Sequence, residues 1–143
     1  MKKAAYFLAG LCLFAFVTAC SSEDDEEETV IVAQSPIVGV WKIESIFDVD
    51  NNEDLVVDDC RRTFNTYQYN ADGTFSIEAH KIMDGSCQLE GTYTGTYSVD
   101  GNILTILEEE TESQREILVL DANTLKLKMT DNHGTYLDTY VRE

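Results

Sequence analysis

Basic residues are scarce in this sequence. Lys and Arg together number 10 against 27 Asp and Glu, which gives a formal net charge of −17. After Lys2-Lys3 there is no run of basic residues, whereas binding to nucleic-acid phosphates requires clusters of Lys and Arg. The composition therefore argues against nucleic-acid binding and favours cationic partners.

Proline and long apolar runs are scarce as well. The chain has one Pro, and beyond its N-terminal segment no apolar stretch is long enough to cross a bilayer as a helix. No segment shows helical periodicity of useful length, whereas residues that favour strands are plentiful. A chain of 143 residues with this pattern is expected to form a single all-β domain.

The first 19 residues have the order of a secretory signal peptide. The charged pair Lys2-Lys3 precedes an apolar stretch over 4–17, and small residues follow. Val17-Thr18-Ala19-Cys20 resembles the bacterial lipobox. This resemblance implies that residues 1–19 are removed and that lipid on Cys20 anchors the mature protein in a membrane. The alternative is an ordinary signal peptide with a chance cysteine.

Residues 21–28, Ser-Ser-Glu-Asp-Asp-Glu-Glu-Glu, form a block of like charges. Such a block repels itself and stays solvated, so residues 20–37 are predicted to be a flexible acidic tether behind the lipidated cysteine. Acidic residues directly after the lipidated cysteine also resemble an export signal of some Gram-negative bacteria. That resemblance implies an outer-membrane lipoprotein exposed on the cell surface, with attachment facing the periplasm as the alternative.

Residues 38–143 are predicted to form the folded domain, an eight-stranded up-and-down antiparallel β-barrel. The eight candidate strands are 41–47, 62–70, 74–82, 90–99, 103–107, 115–120, 124–129 and 135–141. Short turn sequences at 71–73, 100–102 and 121–123 alternate with longer connections at 48–61, 83–89 and 108–114. In a meander, alternate connections lie at the same end. One end of the barrel is therefore expected to have tight turns and the other long, acidic loops.

Three short motifs stand in the predicted domain: Gly39-Val40-Trp41, Asp72-Gly73-Thr74-Phe75 and Gly91-Thr92-Tyr93. The first matches the G-x-W motif that opens the first strand of lipocalins, and the other two also fit the pattern. The domain therefore resembles the small lipocalin-like domains of bacterial lipoproteins. The resemblance implies that Trp41 packs under the closed end of the barrel beside a basic residue from the last strand. Arg142 is that residue here, and a cation–π contact with Trp41 would be structural.

Two cysteines, Cys60 and Cys87, lie in the predicted domain, both at the predicted long-loop end. In an oxidising envelope, a disulfide between them is the expected state. Two reduced or redox-active thiols are the alternative.

The connection over 48–61 is rich in oxygen ligands. Its spacing partly resembles a calcium-binding EF-hand loop, with Glu53 where that loop requires Gly. The residues that would contribute ligands are Asp48, Asp50, Asn52, Asp54 and Asp59. A solvated acidic loop is the favoured interpretation, and a weak calcium site is the alternative.

The sequence contains no recognisable catalytic constellation. The only histidines, His80 and His133, have no Ser/His/Asp, Cys/His or metal-ligand spacing, so no catalytic residue, enzyme activity or cofactor is predicted. The predicted function is that of a lipid-anchored envelope protein that binds a small apolar or amphipathic ligand, or a cationic ligand or partner, at the acidic end. The alternative is a structural lipoprotein with a filled barrel. The oligomeric state is not indicated.

Overall fold

The computed structural model describes residues 35–143. The predictions for the signal peptide, for Cys20 and for the acidic block lie outside the described residues. Within the described part there are nine strands and one helix. They are β1 Gly39–Asp48, β2 Glu53–Leu55, α1 Asp59–Phe64, β3 Thr66–Tyr69, β4 Thr74–Met83, β5 Ser86–Asp100, β6 Ile103–Glu108, β7 Thr111–Leu120, β8 Thr124–Thr130 and β9 Thr135–Arg142.

The strands form a closed antiparallel barrel, as the sequence predicted. From β3 to β9, each strand pairs with the next along the chain. Strand β1 pairs with β3 on one side and with β9 on the other, which closes an eight-stranded barrel. The short β2 is an additional strand that pairs with the far end of β1.

The predicted alternation of short and long connections is wrong at two places. Strands β4 and β5 are joined by the two-residue turn Asp84-Gly85, whose φ angles are 51° and 77°. Strands β6 and β7 are joined by Glu109-Glu110, with Glu109 at φ 52°. Both pairs allow tight hairpin turns, so the segments predicted as long loops continue as paired strands.

The one long connection, between β1 and β3, is folded. Its second part forms α1, whose N-cap Asp58 accepts a hydrogen bond from the backbone N–H of Arg61 at 2.9 Å. The strand predicted over 62–70 is therefore wrong for 62–64, which are helical. A six-residue helix is too short to produce a readable helical period, which explains why the sequence did not reveal it.

The hydrophobic core lies inside the barrel. It contains the side chains of Ile37, Trp41, Ile43, Val57, Tyr69, Phe75, Leu104, Ile106, Leu125, Leu127 and Tyr140. We call the end that carries the start of β1 and the β3–β4, β5–β6 and β7–β8 turns the closed end, and the opposite end the open end. Ile37, which the sequence placed in the tether, is fully buried. The helix of the described residues, α1, is not long and apolar enough to cross a membrane.

Candidate functional site

The closed end is held together by Arg142. Its guanidinium lies 4.1 Å from the centre of the Trp41 ring. The same group donates hydrogen bonds to the carbonyl oxygens of Pro36, Val38 and Ala122 at 2.6–2.7 Å. Trp41 Nε1 donates to the carbonyl oxygen of Ile37 at 2.8 Å. These contacts are structural.

Gly39 belongs to the same group of contacts. It has φ 143°, a conformation that favours glycine, and a Cβ at this position would collide with the guanidinium of Arg142. The structure therefore brings together the three residues that the family resemblance implied for the closed end.

The predicted disulfide between Cys60 and Cys87 is confirmed, with a Cα–Cα distance of 5.4 Å. Cys60 is buried on α1, whereas Cys87 lies on β5 and not in a loop as predicted. The bond fixes α1 at the open end of the barrel.

The structure does not assemble the predicted calcium ligands. The carboxylate of Asp48 accepts hydrogen bonds from the backbone N–H groups of Asp50 and Asn51 and from the side-chain amide of Asn51. The two bonds from Asn51 hold the pKa of Asp48 below its usual value. Asp50 accepts a bond from the backbone N–H of Thr135 at 2.9 Å. The carboxylates of Asp48 and Asp50 thus already accept hydrogen bonds from backbone N–H groups.

The other three candidate ligands lie apart from one another. Asn52 is in the β1–β2 turn, Asp54 is on β2, and Asp59 is in α1, where it pairs with Arg62 at 3.9 Å. Within residues 35–143, no group of three or more His, Cys, Asp or Glu side chains could hold a metal ion. The segment over 48–61 folds into a hairpin and a helix, and calcium binding there stays a prediction.

A cavity of about 200 Å³ lies at the open end, between α1 and the barrel wall. Strands β1, β3, β4 and β5 contribute most of its lining, and Arg61 of α1 contributes the rest together with Val57 and Asn65 on either side of the helix. The apolar lining consists of Ile43, Ile46, Val57, Tyr67 and Ala79. The polar lining consists of Arg61, Asn65, His80 and Glu90. The cavity therefore combines an apolar floor with a small number of polar groups, as small-molecule sites do.

His80 is fixed within this lining. Its backbone N–H donates to Oδ1 of the buried Asn65 at 2.6 Å, and its ring packs against Phe64 with 5.7 Å between centroids. Its Nδ1 is buried and has no hydrogen-bond partner among the described residues. A buried polar atom without a partner is costly, so a ligand group that reached Nδ1 would satisfy it.

Next to the cavity, tyrosines and two charged side chains fill the barrel interior. Tyr67 and Tyr140 meet edge to face at 4.8 Å, and the Tyr140 hydroxyl donates to the Asp138 carboxylate at 3.2 Å. Burial raises the pKa of Tyr67 and Tyr140, and it also raises the pKa of Asp138. Opposite Leu104 of β6, Arg115 points inward, and its Nε has no hydrogen-bond partner in the described part of the chain.

The sequence analysis missed these polar residues. Arg115 and Asp138 stand at positions where strand alternation points toward the core: Arg115 pairs with buried Leu104, and Asp138 pairs with buried Leu127. A charged residue at a strand position whose side chain should face the core was the feature of the sequence that could have identified them. Nothing in the sequence marks Arg61 or His80, since α1 and the cavity beneath it depend on the three-dimensional fold.

The family model described as a lipocalin-like domain matches residues 37–127. A lipocalin-like protein from Bacteroides uniformis has a similar structure, with 19% identity and a TM-score of 0.54 over 76% of this chain and 99% of that one. An uncharacterized protein from Bacteroides eggerthii is 13% identical, with a TM-score of 0.53 over 74% of this chain and 98% of that one. No curated protein matches this chain. At these identities, the two structures show a shared fold alone.

Proposed function

Because this chain belongs to the lipocalin-like domain family, we propose that it is a binding protein that holds a small amphipathic ligand in the cavity beneath α1. The cavity itself is the observation that carries the proposal. Its volume is about 200 Å³, and an apolar cavity of about 150 Å³ accepts benzene. A ligand of one ring or one short chain with a polar group would fit. Binding, and not catalysis, is the proposed activity.

We place this binding protein in the cell envelope. The lipobox-like sequence ending at Cys20 supports a lipid anchor, and the acidic block over 21–28 supports export to the outer surface of the outer membrane. The disulfide between Cys60 and Cys87 is consistent with an oxidising compartment. Changing Cys20→Ala should release the protein from membranes and abolish labelling by a fatty-acid probe. Unchanged labelling would contradict lipidation at Cys20.

The ligand-binding proposal is tested by native mass spectrometry of the full chain purified from the cells that produce it. The unaltered protein should retain a small molecule. Ala79→Phe should lose it, because the added ring fills the cavity that Ala79 lines. Ala71→Phe is the matched control, since Ala71 is exposed in the β3–β4 turn at the closed end. Loss of the molecule from both variants, or from neither, would place the ligand elsewhere.

A structural or interaction role without a small molecule is the second candidate. It is favoured by the filled closed half of the barrel, where Trp41, Leu104, Leu125 and Leu127 are almost fully buried. Under this alternative, the acidic open end would contact a partner directly. A preparation in which no molecule is retained and no small ligand shifts the melting temperature would favour it over ligand binding.

A further inference from the structure

We propose that the ligand of the open-end cavity is a small organic carboxylate; this inference rests on the binding function proposed above. Its apolar part lies against Ile43, Ile46 and Val57. Its carboxylate lies between Arg61 and His80. The inference follows from which polar groups around the cavity are already paired and which are not.

The polar groups that line the cavity are unequally paired. Glu90, the only acidic side chain in its lining, forms an ion pair with Lys81 at 2.7 Å, so its charge is already balanced. The side-chain oxygen of Asn65 is used by the backbone N–H of His80. The charge of Glu90 and the side-chain oxygen of Asn65 are therefore already engaged by groups of the protein.

The unpaired groups are donors. The ion pairs among the described residues join Lys42 with Glu143, Arg62 with Asp59, Lys81 with Glu90, and Lys128 with Glu116. Arg61 is absent from these pairs although it lines the cavity. His80 Nδ1 is buried without a partner in the part of the chain that the structure describes, and it can donate when it carries a proton. A carboxylate offers the acceptors that both groups lack.

The barrel interior next to Tyr67 also contains a basic side chain that forms no ion pair with the described residues. Arg115 points into the barrel, forms none of the ion pairs within residues 35–143, and has a buried Nε without a partner. The nearby Asp138 carboxylate is engaged by the Tyr140 hydroxyl. Within residues 35–143, the exposed Arg61 at the cavity and Arg115 next to it thus form no ion pair, although acidic residues outnumber basic ones 27 to 10 in the chain. This placement favours a negatively charged ligand although the molecule as a whole is negative.

Calorimetric titration of the full chain with three probes of equal chain length tests the inference. The probes are hexanoate, hexanamide and hexylamine, which are negative, neutral and positive. Hexanoate should bind about tenfold more tightly than hexanamide, the difference typical of a hydrogen bond to a charged group. Hexylamine should bind more weakly than both, because its ammonium group would lie beside the Arg61 guanidinium and the charge of Glu90 is already balanced by Lys81.

Two variants of α1 provide a matched comparison. Arg61→Gln should lower hexanoate affinity about tenfold and leave hexanamide affinity unchanged. Arg62→Gln removes the same charge from the same helix, but Arg62 does not line this cavity and pairs with Asp59, so hexanoate affinity should not change. His80→Phe keeps a ring next to Phe64 and removes Nδ1, and it should lower hexanoate affinity severalfold.

The outcomes separate the inference from the function on which it rests. Equal binding of hexanoate and hexanamide, or equal effects of Arg61→Gln and Arg62→Gln, would overturn the proposal that the ligand is a carboxylate. The proposed binding function would still stand. If no probe binds while native mass spectrometry finds a retained molecule, the charge of that molecule decides, and a neutral or cationic one overturns the inference. If no probe binds and nothing is retained, both proposals are overturned.

Discussion

At the scale of single residues, Arg142 connects three parts of the chain at the closed end. We expect Arg142→Met to lower the free energy of unfolding by about 2–4 kcal/mol, because the variant loses the cation–π contact with Trp41 and charge-assisted bonds to three carbonyl groups. Urea unfolding monitored by Trp41 fluorescence would measure this. Arg62→Met is the control, since the ion pair between the half-exposed Arg62 and the exposed Asp59 should contribute less than about 1 kcal/mol to the free energy of unfolding. Equal losses in the two variants would contradict the role given to Arg142.

Asp138 provides a second residue-scale prediction. Burial raises its pKa above the ordinary value of 3.8, against the smaller opposing effects of Arg115 and of the Tyr140 hydroxyl. A carboxyl group with a raised folded-state pKa is favourable when protonated, and its contribution is lost as the pH rises through that pKa. Asp138→Asn, which can still accept the Tyr140 bond, should therefore raise the melting temperature at neutral pH.

The gain from Asp138→Asn should shrink as the pH falls below 3.8, where Asp138 is protonated in the folded and the unfolded protein alike. Differential scanning fluorimetry across pH would follow this change. A variant that is less stable than the unaltered protein at neutral pH would show that the ionised carboxylate is needed beside Arg115.

At the scale of secondary-structure elements, the barrel was predictable and its open end was not. Strand β8 alternates Leu125 and Leu127, both buried, with lysines, and that period defines a strand and its inner face. The predicted strand over 74–82 ends one residue before β4 does, whereas residues 86–89 were assigned to a loop although they are the start of β5 and pair with β4. The helix α1 was too short for a helical period.

The candidate site was less predictable than the fold, for a physical reason. Its lining comes from five elements, and two of its polar residues, Arg61 and His80, become neighbours of one cavity because a disulfide and a helix cap position α1. Such an arrangement leaves no spacing in the sequence. By contrast, the pairing of Cys60 with Cys87 needed only the order of the strands.

The disulfide gives the element-scale prediction. The double variant Cys60→Ser/Cys87→Ser should lose about 3–4 kcal/mol of unfolding free energy, because the bond closes a loop with a sequence separation of 27. Release of α1 should also make Arg61 a rapid site for trypsin, while Lys126 in the paired strand β8 remains protected. Limited digestion followed by mass spectrometry would compare the two sites. Unchanged digestion at Arg61 would mean that packing alone holds the helix.

At the scale of the whole molecule, the direction in which the chain enters the barrel matters. Residues 35–38 lead into β1 at the closed end, where the carbonyl oxygens of Pro36 and Ala122 both accept bonds from Arg142. If Cys20 carries the proposed lipid, the chain from Cys20 to residue 34 separates the lipid from the described domain by at most about 50 Å. The open end, with its cavity and acidic turns, should then face away from the anchoring membrane. That orientation suits capture of a ligand from the medium.

Labelling of introduced cysteines on whole cells would measure this orientation. The disulfide can stay intact, because Cys60 and Cys87 are bonded to each other and do not react with maleimide. Single cysteines at Asn52 and Glu110, in turns at the open end, should react with a bulky impermeant maleimide faster than one at Asn123 in the β7–β8 turn. All three positions are exposed, so the membrane and not the fold should set the difference. Equal protection of the three would indicate a protein that faces the periplasm, and faster labelling at Asn123 would mean that the open end faces the membrane.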